Sequence, residues 1–243
     1  DPDPPLSVIR KARELSCIAL YQGQEFGLQT NDQSEGMQWY GVAPDSRGMC
    51  ATFPAATAVL PINVSTALQA LASAGTDVDL VETAAILASV KPPGRQELTE
   101  DRQTRVPVML DVAHNPDSID ALVSAVQRFV QADPALEHNK GTVRLVIAVM
   151  ADKDIETMLA SLVSIADIWY IAQVEDARCL PAIKLGLRLK NIDPSAAMRC
   201  FDGVTEAYQA ACEEAVAGAE EEAEAKEGLV VVAGSFHTVA AAR

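Results

Sequence analysis

Beyond residue 105 the sequence alternates between short runs of continuous apolar residues and longer stretches whose apolar positions recur every three or four residues. VPVMLD, residues 106–111, is the first short run. NPDSIDALVSAVQRFV follows it, with Ile119, Leu122, Val123, Val126 and Val130 at helical spacing. TVRLVIAVM (142–150) comes next, then DIETMLASLV, a helix for which Asp154 is placed to act as N-cap. IADIWYIAQ reads as a strand and LPAIKLGLRL as a helix. AAMRCF, a helix from Val204 to about Ala219, GLVVVAG and a last helix from Phe236 complete the series. Strands alternating with helices in this way imply crossover connections and a largely parallel sheet covered on both faces. LVIAVM and LVVVA agree, because strands buried on both sides need not alternate apolar with polar. The expected fold is therefore α/β, with a Rossmann-like, mostly parallel sheet and helices on both faces. Ligands of such sheets sit outside the carboxyl ends of the strands. DVAHNP, MADKD and GSFHT are the three segments expected at that edge.

Residues 1–92 read differently. LSVIRKARELSCIALYQG suggests a helix and then a short strand, and EFGLQTNDQSEGMQWYGV and GMCATFPAATAVLP suggest strands separated by polar turns. A helix is expected from Asn63 to Ser73 and another over VDLVETAAILASV, ended by KPPGR. Proline biases its predecessor out of the helical region and glycine permits a sharp turn, so this is a domain boundary. The expected division is 1–92 and 93–243. The first segment holds too few regular elements to close a good core alone and reads as the tail of a larger domain.

Composition narrows the function. The formal charge is −15, from 19 Lys and Arg against 34 Asp and Glu, which argues against a nucleic-acid partner. Much of the excess lies in EEAVAGAEEEAEAKEG, residues 213–228, expected to be a solvated helix face or a charged loop. No run approaches 18 consecutive apolar residues, so no membrane-spanning helix is expected. The opening DPDPPLSVIRKARELSC has no signal-peptide architecture and reads as an interior cut or a linker. Five cysteines without a C-x-x-C pair fit reduced thiols in a cytoplasmic protein, and no cysteine or histidine spacing suggests zinc.

LDVAHNP carries the densest chemistry. Asp111 ends a buried strand, His114 and Asn115 follow in the loop, and Pro116 takes the favoured first position of a helix. A carboxylate and an imidazole beside a helix N-terminus suit a phosphate-bearing ligand, although the same two side chains could form a purely structural pair. The order N-x-x-TAL (Asn63, Thr66 to Leu68), PGR (Pro93 to Arg95), LD-x-AHNP (Leu110 to Pro116), ADKD (Ala151 to Asp154) and GSFHTV (Gly234 to Val239) resembles the folylpolyglutamate/dihydrofolate synthase family. That family belongs to the ATP-dependent amide ligases that include the muramyl ligases. The resemblance spans essentially the whole chain, and LD-x-AHNP paired with a terminal GSFHTV is its specific part.

The resemblance implies a role for each matching residue. Asn63 would contact adenine, its amide both donating and accepting; a helix cap is the alternative. Arg95 would reach the ATP phosphates, which its fork meets bidentately; a surface arginine after a turn is the alternative. Asp111 would accept hydrogen bonds from the nucleotide ribose. His114 would face the reaction centre as the catalytic and glutamate-holding histidine, and Ser235 would help bind the glutamate carboxylate. His237 fits a packing or helix-start role better, and Lys153 an exposed loop. The implied reaction joins L-glutamate to dihydropteroate or a reduced folate through an acyl phosphate, using ATP and Mg2+.

Departures from the family pattern matter as well. No glycine precedes a lysine anywhere in the sequence, so no G-x-x-x-x-G-K-[ST] loop is present, and phosphoryl transfer needs such a cradle. The phosphate loop, the magnesium ligands and the pterin surface are expected in a missing N-terminal part, leaving residues 1–92 as the end of an ATPase domain. The chain alone is expected to be inactive, and the full-length protein monomeric. Val112 stands where the family commonly has glycine. The competing reading is a non-catalytic α/β nucleotide- or ligand-binding module. A dinucleotide-binding oxidoreductase would need a G-x-G-x-x-G after a strand, and none occurs.

Overall fold

The computed structural model describes residues 4–30, 36–54, 59–76, 80–132, 142–221 and 228–243. It divides into two compact units, Asp1–Pro92 and Pro93–Arg243.

The first unit opens with helix α1 (Leu6–Glu14), none of whose residues is buried. Strands β1 (Gly27–Thr30), β2 (Gly36–Val42) and β3 (Gly48–Pro54) form an antiparallel sheet in that order. Helices α2 (Pro61–Ser73) and α3 (Leu80–Ser89) follow. Pro61 sits at the first helical position of α2, where its missing N–H costs nothing, so this helix begins two residues before the expected Asn63. Met37, Trp39 and Gly41 on β2 are buried and Gln38 is exposed, the period of two that a one-sided sheet requires. Trp39 packs against Ala51, Val64, Leu68 and Ala72. Buried Gln69 ties α2 to the sheet, accepting from Val42 N at 3.0 Å and donating to Val42 O at 2.8 Å. The strand expected just after α1 does not form. Leu15 and Ile18 are exposed, and only an isolated bridge between Gln22 and Phe26 is made there. Residues 17–21 find no neighbouring ladder among the described residues, and a strand exists only by pairing.

The second unit is a six-stranded sheet in the order β4-β5-β9-β6-β7-β8. Its elements run β4 (Glu97–Glu100), β5 (Pro107–Asp111), α4 (Pro116–Ala132), β6 (Val143–Ile147), α5 (Ile155–Leu162), β7 (Ile168–Ile171), α6 (Ala182–Ile192), β8 (Ala197–Cys200), α7 (Val204–Glu221), β9 (Leu229–Ala233) and α8 (Phe236–Ala241). Every pairing is parallel except that of β4 with β5. The expected strands and helices of this unit are all present, and Asp154 caps α5 by accepting from Thr157 N.

Two cores explain the layers. From β5 the chain moves outward through β6, β7 and β8, and α4, α5 and α6 pack on one face around Leu122, Leu145, Leu159, Trp169 and Leu185. From β8 it returns to the vacant place beside β5, so α7 and α8 cover the opposite face with Val108, Val146, Tyr170, Ala211 and Val232. Reversing direction while keeping right-handed crossovers puts the returning helix on the other side. β4 is the element that periodicity did not reveal. ELTE is short and mostly exposed, and it becomes a strand only by adding antiparallel to the edge of β5.

The acidic run begins inside α7, and residues 222–227 lie outside the described residues. Glu214 is not simply solvated. Its carboxylate accepts from Tyr170 Oη at 2.6 Å and pairs with Arg199, and its carbonyl accepts from buried Arg144 at 3.1 Å. These bonds clamp α7 to β6, β7 and β8. No helix among the described residues is long and apolar enough to cross a membrane.

Candidate functional site

Register brings the chemistry together. Asp111 on β5 and Ile147 on β6 both pair with Ala233 on β9, so three strands end level. The segments that leave them, 112–115, 148–154 and 234–235, therefore start at one edge of the sheet.

Asp111 is 4% exposed, yet both its oxygens are used. Oδ1 accepts from Ala113 N at 2.9 Å and Oδ2 from Gln96 N at 3.2 Å. Burial pushes its carboxyl up to about 6. Those two backbone N–H groups and the charges of Arg95 and His114 pull the other way. Each carboxylate oxygen keeps a lone-pair direction for a further donor. Among the described residues Asp111 and His114 share no hydrogen bond, so they are not a bonded structural pair.

The second ligand of Asp111 comes from the loop just before β4. Val112 N donates to Gly94 O at 2.8 Å, Gly94 N donates to Glu97 Oε2 at 2.6 Å, and Arg243 pairs with the same glutamate. Gly94 has φ +67°, and a Cβ there would lie 3.0 Å from Val112 Cγ1 and 3.2 Å from Val239 Cγ1. A left-handed backbone under two valines admits only glycine comfortably. Val112 is itself buried in the α7/α8 core, where its side chain covers this glycine.

This loop presents Arg95. Its guanidinium lies 5.9 Å from the centre of the Phe236 ring and makes no hydrogen bond or ion pair among the described residues. Phe236 is exposed at the start of α8, so an uncommitted cation and an aromatic face stand at the ligand edge.

His114 is half-buried, and its Nδ1 lies 2.8 Å from Val112 O. A carbonyl has no proton to give, so Nδ1 donates and Nε2 is the ring nitrogen left for a ligand. Asn115 caps α4, its Oδ1 accepting from Ser118 N at 2.9 Å, while Ser118 Oγ receives the N–H groups of His114 and Asn115. The histidine backbone is thus fixed from the helix side.

Ser235 is buried and caps α8, with Oγ accepting from Thr238 N at 3.0 Å. Gly234 before it has φ +124°, and a Cβ there would collide with Ala148 O. Asn63 belongs to the other unit, exposed in the first turn of α2, which Leu60 caps. Lys153 pairs with Asp152 at 3.1 Å in the loop after β6.

Sequence reasoning missed Gln96, Ser118 and Thr238. N-P-D-S and S-F-H-T both carry a cap residue followed at the third position by a hydroxyl, which is a readable signal for the last two. Gln96 acts through its backbone at φ 46°, which no residue type announces. A separate crevice of about 440 Å3 between β4 and α7 is lined in part by Asp101, Thr104, Tyr208 and Cys212. Tyr208 Oη already donates to Asp101 at 3.0 Å there, and the crevice is lined by none of Asn63, Arg95, Asp111, His114 and Ser235.

Comparison with known proteins agrees with this geometry. Residues 94–236 match the family described as Mur ligase, glutamate ligase domain. The chain is 31% identical over 240 residues to the dihydrofolate synthase/folylpolyglutamate synthase of Escherichia coli strain K12, covering 99% of this chain and 49% of that protein. Its fold is similar to that of E. coli FolC in complex with DHPP and ADP, with 30% identity and a TM-score of 0.71, covering 99% of this chain and 50% of that one. A bifunctional folylpolyglutamate synthase/dihydrofolate synthase with Mn, AMPPNP and L-glutamate bound is 28% identical with a TM-score of 0.69, covering 98% of this chain and 50% of that one. The chain thus spans about half the length of the relatives it matches, and the similarity is to their C-terminal portion. Level strand ends, a buried carboxylate and a match across most of the second unit lead to one conclusion: this chain belongs to the Mur ligase family and carries its glutamate ligase domain.

Proposed function

We propose that the chain is the C-terminal portion of an ATP-dependent ligase that joins L-glutamate to dihydropteroate or a reduced folate through an acyl phosphate. The observation that carries this reading is the meeting of Asp111, His114 and Ser235 at one edge of a glutamate ligase domain, with Arg95 presented beside Asp111. ATP phosphorylates the acceptor's carboxylate, and the amine of glutamate then attacks the acyl carbon and expels inorganic phosphate. Asp111 receives ribose hydroxyls on its remaining lone pairs. Arg95, without a carboxylate partner among the described residues, meets phosphate oxygens. His114 offers Nε2 toward the incoming amino acid.

Magnesium, when bound, offsets the charge of the phosphates. Among the described residues no group of three or more His, Cys, Asp or Glu side chains is arranged to hold a metal ion, so these residues do not fit that site. We place its ligands, the phosphate loop and the pterin surface in the N-terminal portion that the relatives have beyond this chain. The complete protein works as a cytoplasmic monomer.

The test compares this chain alone with the same chain joined to that N-terminal portion, each given ATP, magnesium, dihydropteroate and glutamate. Glutamate-dependent ADP release is expected only from the joined protein. Its absence there would overturn the ligase reading, and its presence in the chain alone would overturn the proposed division of labour. Asp111→Ala should raise the KM for ATP about ten-fold, whereas His114→Ala should lower turnover at saturating ATP.

A further inference from the structure

Arg95 stands between two residues with left-handed backbone, Gly94 at φ +67° and Gln96 at φ +46°. Gln96 carries the Cβ that makes this region costly, and such a conformation persists only where its surroundings impose it. Three backbone groups flanking Arg95 are held from different directions. Gly94 O accepts from Val112 N at 2.8 Å, Gln96 N donates to Asp111 Oδ2 at 3.2 Å, and Gly94 N donates to Glu97 Oε2 at 2.6 Å. Asp111 and Val112 already belong to the ligand edge. Glu97, the first residue of β4, does not, and the reaction outlined above leaves it without a role. Helix α8 backs the same loop with one side. Phe236, Val239 and Arg243 follow at intervals of three and four residues, the last just beyond the helix end, so they line up. The Phe236 ring lies beneath the Arg95 guanidinium, Val239 crowds Gly94, and Arg243 pairs with Glu97. One oxygen of Glu97 thus receives both the Gly94 N–H and the Arg243 guanidinium.

An arginine side chain is long and loses rotamer freedom on meeting a phosphate, so its aim depends on how firmly its own backbone is fixed. We propose that Glu97 is a positioning residue for the nucleotide: it holds Gly94 N, ties it through Arg243 to α8, and so fixes the turn from which Arg95 reaches the phosphates. The inference rests on the ligase reading above and adds to it a residue that touches neither ATP nor glutamate. The chemistry is particular to a glutamate. A charged acceptor bonds an amide N–H about twice as strongly as a neutral one. From three residues further along the chain, the glutamate side chain is long enough to reach back to that N–H, as it does in a capping box, whereas aspartate is one methylene too short. Without this bond the peptide before Gly94 is free to rotate. The turn beneath Val112 and Val239 then relaxes, and Arg95 leaves the ligand edge.

The experiment uses the complete ligase and measures the KM for ATP and for glutamate separately. Glu97→Ala should raise the KM for ATP about five- to ten-fold, as for a lost hydrogen bond to a charged group, and leave that for glutamate unchanged. Glu97→Gln keeps an acceptor for Gly94 N and should recover most of the lost affinity. Added to Arg95→Ala, Glu97→Ala should raise the KM for ATP no further, because a residue that acts through another has nothing left to act on. A rise by the same factor in both backgrounds would overturn the proposal, since a merely structural glutamate would weaken either protein alike. An unchanged KM for ATP in folded Glu97→Ala, or in Arg95→Ala, would overturn it too. If a thermal melt shows that Glu97→Ala does not fold, Glu97→Asp makes the same comparison: it keeps the charge for Arg243 and withdraws the acceptor from Gly94 N. No glutamate-dependent ADP release from the wild type would instead overturn the ligase reading itself.

Discussion

Strands β6 and β9 of the second unit are buried at every position, whereas β2 of the first unit buries alternate ones. The second unit has a core on each face of its sheet, with large fully buried side chains such as Trp169, Leu145, Ile147 and Leu159. The first gathers a smaller group around Trp39, and its helix α1 buries nothing. Apolar burial is the main stabilising term in folding, so the two units differ in how far they sustain themselves. The difference also bears on function. A sheet covered on both sides holds its strand ends rigidly level, and that edge is where Asp111, His114 and Ser235 begin.

The largest expected effect is all-or-none. Residues 93–243 expressed alone should unfold in one cooperative transition, and residues 1–92 alone should show none. A sharp melt with protected amides in the shorter piece would remove the distinction. Within the second unit, Leu145→Ala should cost about 2–5 kcal/mol, the usual range for emptying a closed core site, read from denaturant midpoints.

Asp111 comes next. Its folded value of about 6 lies above the ordinary 3.8, so the folded state holds the proton more tightly than the unfolded state. Its ionisation therefore costs stability. The cost is absent below about pH 4, grows as pH rises through the window to about 6, and is complete above it, reaching about 3 kcal/mol. Subtracting the stability profile of Asp111→Asn from that of the wild type should isolate this fall, and a flat difference would show that the carboxyl is not buried at this cost.

The smallest effect is expected in the first unit. The buried indole N–H of Trp39 has no hydrogen-bond partner among the described residues. Trp39→Phe loses ring packing but removes that unsatisfied donor, worth about 1–3 kcal/mol. The net change should stay within about 1 kcal/mol, with hydrogen exchange altered in β1–β3 and unchanged in β4–β9. A loss comparable to that of Leu145→Ala would mean that the smaller core is as closely packed as the larger.

Much of the second unit was legible in advance because its signals are local and strong. Continuous runs such as LVIAV and LVVVA mark strands buried on both faces, the spacing from Ile119 to Val130 marks α4, and Asp154 before an apolar helix marks its cap. β4 was not legible. Four residues with polar character carry no period, and ELTE is a strand only because β5 has an open edge. The strand expected after α1 failed for the converse reason, since Cys17 to Tyr21 have the composition but no neighbour to pair with among the described residues. At the site, LD-x-AHNP and GSFHTV identified the segments, but not that Gln96 N would bind Asp111 or that Thr238 Oγ1 would reach the carbonyl of Ala148.

Residue order was thus sufficient for what depends on neighbours within one helix or strand: the alternation of elements, the cap at Asp154, the helix start at Pro116, and the segments that leave the strands. Folding in three dimensions decided what depends on residues far apart in the chain. The place of β9 between β5 and β6, the burial that lifts the Asp111 carboxyl, and the bond from Thr238 to Ala148, 90 residues away, arise only when distant segments are packed together. Desolvation and hydrogen-bond direction are properties of that shared environment, and no stretch of sequence contains them.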